Sequence, residues 1–125
     1  MHKIIIDTDP GVDDTMAIAY AMAHPDIELL GLTTVFGNIN VDYSTRNAQY
    51  ILDVLGADSV AVARGAAIPL EQSPLPHADF VHGKDGLGNV YPGSQPGIAA
   101  TSAAPLRSEA RHAQLETLDA ADFII

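Results

Sequence analysis

The chain has 125 residues, 47% of them hydrophobic, no cysteine, and a formal net charge of −10. That acidity argues against binding nucleic acid or an anionic membrane surface, whose phosphates would be repelled. The lack of cysteine excludes a disulfide framework, a thiolate zinc site and a cysteine nucleophile, and suits a soluble protein of the reducing cytoplasm. Met1-His2-Lys3 runs straight into Ile4-Ile5-Ile6-Asp7, too short an apolar run for a signal peptide, and no stretch is long enough to span a membrane.

Lys3–Asp7 is short, apolar and β-branched, which predicts a buried strand of the parallel type. A helix is expected from Val12 or Asp13 to about Ala23, ended by His24-Pro25-Asp26, because the residue before a proline is pushed out of the helical region. Ile27–Val35 predicts a second strand, with Phe36-Gly37-Asn38 turning at its carboxyl end. From Val41 or Asp42 to Leu55, Ala48, Ile51, Leu52 and Leu55 recur at helical spacing. Gly56-Ala57-Asp58 stops that helix, and Val60–Ala63 predicts a third strand. The order β-α-β-α-β implies an α/β fold: an open, mostly parallel, Rossmann-like sheet with helices on both faces and functional loops at the carboxyl ends of its strands.

Beyond Arg64-Gly65 the pattern dissolves. Residues 66–105 hold most of the prolines and glycines, as expected of a functional loop or lid. Helical spacing returns from about Ser108 to Ile125, where the apolar end Phe123-Ile124-Ile125 carries no cap. That ending, and a three-stranded sheet with a bare edge, lead to the expectation that residues 1–125 are the N-terminal part of a single larger α/β domain.

The most informative run is Asp7-Thr8-Asp9-Pro10-Gly11-Val12-Asp13-Asp14, on the loop that joins the first strand to the first helix. One carboxylate in a first helical turn is explained by capping and the helix dipole. Four on one loop would repel each other, which points to a hard cation among them, Ca²⁺ or Mg²⁺. An EF-hand fits poorly: Gly11 falls at the fifth loop position instead of the sixth, and Ile18 stands where the closing glutamate belongs. The glycines of His82-Gly83-Lys84-Asp85-Gly86-Leu87-Gly88 make neither a P-loop nor a dinucleotide fingerprint. His82 on its own reads as a solvated loop histidine, Asn38 as a turn residue or a site residue, and Arg46 as the partner of a nearby acid.

The aspartate run after the first strand resembles the signature of the nucleoside hydrolases, the inosine-uridine-preferring nucleoside N-ribohydrolases. Thr33-Thr34-Val35-Phe36-Gly37-Asn38, Arg46-Asn47-Ala48 and the segment from His82 to Gly88 resemble further stretches of that family, in order. The resemblance implies hydrolysis of ribonucleosides to ribose and free base, as in purine and pyrimidine salvage, by a water held on Ca²⁺. It implies Asp9 and Asp14 as metal ligands, Asp9 also as general base, and His82 as a catalytic-loop residue near the substrate. Asp13 and Asn38 would bind ribose, Asp7 would support the site, and the protein would be a homo-oligomer, a dimer or tetramer.

Such chemistry suits an oxocarbenium-like transition state, which carboxylates stabilise. Calcium takes about six to eight oxygens, of which Asp9 and Asp14 supply about three and water with two sugar hydroxyls about three more; the resemblance implies that a main-chain oxygen and another aspartate from later sequence close the shell. The chain alone is therefore expected to bind calcium weakly and hydrolyse little. Two other readings are a non-catalytic calcium- or ribose-binding fragment, and a haloacid dehalogenase-like phosphohydrolase with Asp7 as nucleophile and Asp9 as acid/base.

Overall fold

A computed structural model describes residues 1–91 and 119–124. Strand β1 is His2–Thr8, helix α1 Val12–Ala23, strand β2 Ile27–Thr34, helix α2 Val41–Val54 and strand β3 Ala61–Arg64. Two short helices follow, α3 at Asp79–His82 and α4 at Ala120–Ile124. The five elements expected from the sequence up to Arg64 are all present, each within two residues of its expected ends. In the pattern-free region the structure adds α3. Residues 92–118 and 125, including most of the helix expected from Ser108, lie outside the described residues.

The strands form one parallel sheet in the order β1-β2-β3. With right-handed crossovers, this sequential order puts α1 and α2 on the same face. The core there unites Ile18 of α1, Leu29 and Leu32 of β2, Ala48, Ile51 and Leu52 of α2, and Val62 of β3, with Ile4 and Ile6 of β1 against it. Thr34 faces the same way and shares a 2.7 Å hydroxyl hydrogen bond with Thr45 of α2.

A bulge in β2 decides which residues face that core. Ile4 pairs with Leu29, but Ile5 pairs with Gly31, so Leu30 is the extra residue and is exposed. A single extra residue shifts the alternation by one position. Leu32 and Thr34 therefore turn inward, while Gly31 and Thr33 turn to the opposite face. On that second face a Cβ at Gly31 would strike the ring of Phe123 from α4. Gly31 pairs with Ala61 in β3, and Thr33 with Ala63, so the surface there is shallow enough to admit the phenyl ring. The sheet thus carries helices on both faces. β1 is only half-buried at Ile4–Ile6, short of the full burial its composition suggests, because among the described residues it forms an edge of the sheet.

Helix α2 starts where the Asn40 side chain accepts the Tyr43 N–H at 2.9 Å, an N-cap. Among the described residues no helix is long and apolar enough to cross a membrane.

Candidate active site

The carboxyl ends of β1 and β2 lie side by side, Thr8 paired with Thr34. The two loops leaving them are tied together by Asp9. Its Oδ2 accepts the Asn38 N–H at 2.6 Å, and the Asn38 amide Nδ2 donates to the Asp9 carbonyl at 3.4 Å. Gly37 lets the carboxylate come this close, since any Cβ at position 37 would overlap Asp9 Oδ2. Asp9, Phe36, Gly37, Asn38, Pro69 and Gln72 help line a cavity of about 290 Å³. The Asn38 carbonyl also accepts the Ala78 N–H at 3.1 Å, anchoring the start of α3 at the cavity wall.

The other aspartates go to different places. Asp14 sits in the first turn of α1, where its Oδ1 accepts the Thr8 hydroxyl at 2.7 Å and its Oδ2 the Gly11 N–H at 3.2 Å. It is therefore the carboxylate that caps this helix, and its charge lies at the favourable end of the dipole. Asp13, next to it, is exposed, with Oδ1 3.7 Å from His82 Nδ1. Asp7 faces the far side of the sheet and accepts the Thr33 hydroxyl at 2.6 Å from the neighbouring strand. The crowding expected from the sequence is thus relieved by separate donors for Asp7, Asp9 and Asp14. No group of three His, Asp or Glu side chains able to hold a metal is found among the described residues.

His82, at the end of α3, is buried, unlike the solvated histidine that its loop setting alone suggests. Its Nδ1 accepts the Val12 N–H at 3.3 Å, meeting one of the first-turn donors that a helix leaves unpaired. In this arrangement Nδ1 is an acceptor, so a neutral imidazole carries its proton on Nε2. Gly11 provides the room: its φ is −104°, ordinary extended backbone, but a Cβ there would lie 2.6 Å from His82 Nδ1. Asp9 and Asn38 meet at the cavity, whereas Asp13, Asp14 and His82 gather at the amino end of α1.

Sequence reasoning passed over Asp85 and Asn47. Asp85 is buried, and its carboxylate accepts three backbone N–H groups, from Leu87, Asn89 and Tyr91. Asn47 is fully buried in α2, within the helical stripe that carries Ala48 and Ile51. A polar residue on an apolar stripe was the signal available for it. The Arg46 guanidinium lies between the rings of Tyr43 and Tyr91, 4.3 and 3.8 Å from their centroids.

A model of the inosine-uridine preferring nucleoside hydrolase family matches residues 4–125. Uridine nucleosidase 1 of Arabidopsis thaliana is 53% identical over 89 residues, covering 71% of this chain and 26% of that protein. The inosine-uridine preferring nucleoside hydrolase of Leishmania major is 47% identical over 92 residues, covering 73% of this chain and 29% of that protein. Among solved structures, a plant nucleoside hydrolase superposes with a TM-score of 0.69 at 38% identity, covering 90% of this chain and 36% of its own. A purine-preferring ribonucleoside hydrolase from Gardnerella vaginalis gives a TM-score of 0.69 at 37% identity, covering 82% of this chain and 34% of its own. The chain spans little more than a quarter of the length of these two curated relatives.

Proposed function

The chain belongs to the inosine-uridine preferring nucleoside hydrolase family, and on that premise we propose that it carries the metal- and ribose-facing loops of a nucleoside N-ribohydrolase. The reaction is hydrolysis of the N-glycosidic bond of a ribonucleoside to ribose and free base. The observation that carries this reading is the Asp9–Asn38 pair, which places a carboxylate and a carboxamide together on one cavity at the carboxyl edge of a parallel sheet.

In this proposal Asp9 is the general base. Its Oδ2 is held by the Asn38 N–H, and no hydrogen bond from the described residues reaches Oδ1, which is left to take a proton from the attacking water. The Asn38 side chain and Asp13 offer polar groups to the ribose hydroxyls. Asp14 is braced by Thr8 and Gly11, and Asp7 stiffens the strand pair behind the site through Thr33.

Asp9 and Asp14 fit calcium in kind, being hard anionic oxygens fixed by neighbouring donors. They do not fill its shell. When bound, calcium would supply positive charge to orient water and sugar hydroxyls. His82 would act near the substrate from the α3 end of the loop. We also propose a cytoplasmic setting and self-association as a dimer or tetramer.

The test is release of free ribose from inosine and uridine by the natural protein that carries residues 1–125, with calcium and with a chelator. Ribose formed with calcium and lost on chelation supports the proposal. No ribose from either nucleoside in the presence of calcium overturns it, in favour of a non-catalytic binding role.

A further inference from the structure

Asn47 lies in the middle of α2, completely buried, although asparagine is a weak helix former. Its Nδ2 donates to two carbonyls from separate loops, Pro10 at 3.2 Å and Asp85 at 2.8 Å. Its Oδ1 accepts twice from Arg46, at 3.1 and 2.8 Å, so the four bonds an amide can make are all made. Arg46 donates as well to the Asp85 carbonyl, at 3.0 Å. The main chain of Asp85 is thus pinned to α2 from two sides.

The Asp85 side chain organises the loop around that pin. Leu87 and Asn89 N–H reach Oδ1 and Tyr91 N–H reaches Oδ2, at 2.8, 2.8 and 2.9 Å. Gly86 takes φ +80°, and a Cβ there would meet Ile39 Cδ1 at 2.6 Å and Asn47 Nδ2 at 2.9 Å, so the loop is seated directly on the latch. The wound loop closes on His82, whose carbonyl accepts the Gly88 N–H at 2.7 Å. His82 in turn sets its imidazole against Val12, two residues beyond Pro10.

We infer that Asn47 and Asp85 are positioning residues that lock the His82-bearing loop to the aspartate loop, through the carbonyls of Asp85 and Pro10. Neither touches the cavity beside Asp9; they act by fixing where His82 stands relative to the aspartates. A buried charge and a buried amide of this kind are costly unless fully paired, so loss of one partner releases the whole assembly. Only the kinetic consequence rests on the nucleosidase reading, because the latch itself is a matter of structure.

Amide hydrogen exchange tests it in the unaltered chain. The Val12, Leu87, Asn89 and Tyr91 amides should open together, with one opening free energy below that of the β2 core amides. Four unrelated opening free energies would overturn the latch. In D85N those four amides should lose protection together, and the His82 Nδ1 nitrogen resonance should move toward the position of an imidazole without that hydrogen bond. β2 amides should keep their protection. A uniform fall across the sheet, with the His82 resonance unmoved, would make Asp85 merely stabilising and defeat the proposal.

In the natural protein D85N should lower kcat/KM for ribose release by about tenfold or more, the scale of a misplaced site residue. D79N, which alters an exposed acid in α3, should leave it unchanged. If the unaltered protein releases no ribose, the nucleosidase reading fails, while the exchange pattern still decides the latch. If ribose release is normal in D85N, the positioning role fails alone.

Discussion

Asp9 Oδ2 accepts the backbone N–H of Asn38 at 2.6 Å, so a single carboxylate joins the loops that leave β1 and β2. The contact depends on Gly37, whose missing Cβ leaves the space the carboxylate fills. G37A should therefore push Asp9 away from Asn38 and destabilise the fold by about 1–3 kcal/mol, the range for forcing extra volume into a packed site. Urea unfolding measures the loss, and an unchanged midpoint would contradict this placement of Asp9.

Asp14 closes the first turn of α1 through Thr8 and Gly11. D14A should cost about 1 kcal/mol, as for loss of a helix cap. D13A, at the exposed neighbour, should leave stability nearly unchanged. Denaturant midpoints for the pair decide between them; equal losses would show that Asp14 has no special capping role.

Leu32 sits at the centre of the core, completely buried, only because the bulge at Leu30 turns it inward. L32A should destabilise by about 2–5 kcal/mol. L30A, at the exposed bulge residue, should cost far less. A reversed order of the two losses would refute the register between β1 and β2.

Calcium should bind the 125-residue chain weakly. Asp9 and Asp14 supply few of the about six to eight oxygens the ion takes, and the described residues contain no cluster of three ligands. Isothermal titration should show no site tighter than about 1 μM, which excludes the roughly 10⁻⁹–10⁻⁸ M range of the tightest calcium loops. A tighter site would mean that the ligand set is larger than these two carboxylates.

The strands and long helices were legible in the sequence because local signals agreed. Ile4-Ile5-Ile6 marks a strand, Pro25 stops a helix, and the stripe from Ala48 to Leu55 marks another. The bulge at Leu30 was not legible, since Ile27 to Val35 reads as one continuous strand. It arises from pairing with β1, a partner distant along the chain. Asn47 and Asp85 were passed over because main-chain groups leave no mark in the amino-acid code: Asn47 Nδ2 donates to the carbonyls of Pro10 and Asp85, 37 and 38 residues away, and the Asp85 carboxylate accepts N–H groups of its own loop.

By itself the sequence determined the order of elements from β1 to β3 and the concentration of carboxylates at the carboxyl end of β1, because both are written in neighbouring residues. Only the tertiary structure sorted those carboxylates, sending Asp9 to Asn38, Asp14 to Thr8 and Asp7 to Thr33. Which oxygen meets which donor depends on strand register and on where each loop folds back. Electrostatic crowding shows that four like charges need relief, and the distances between elements decide how each of them obtains it.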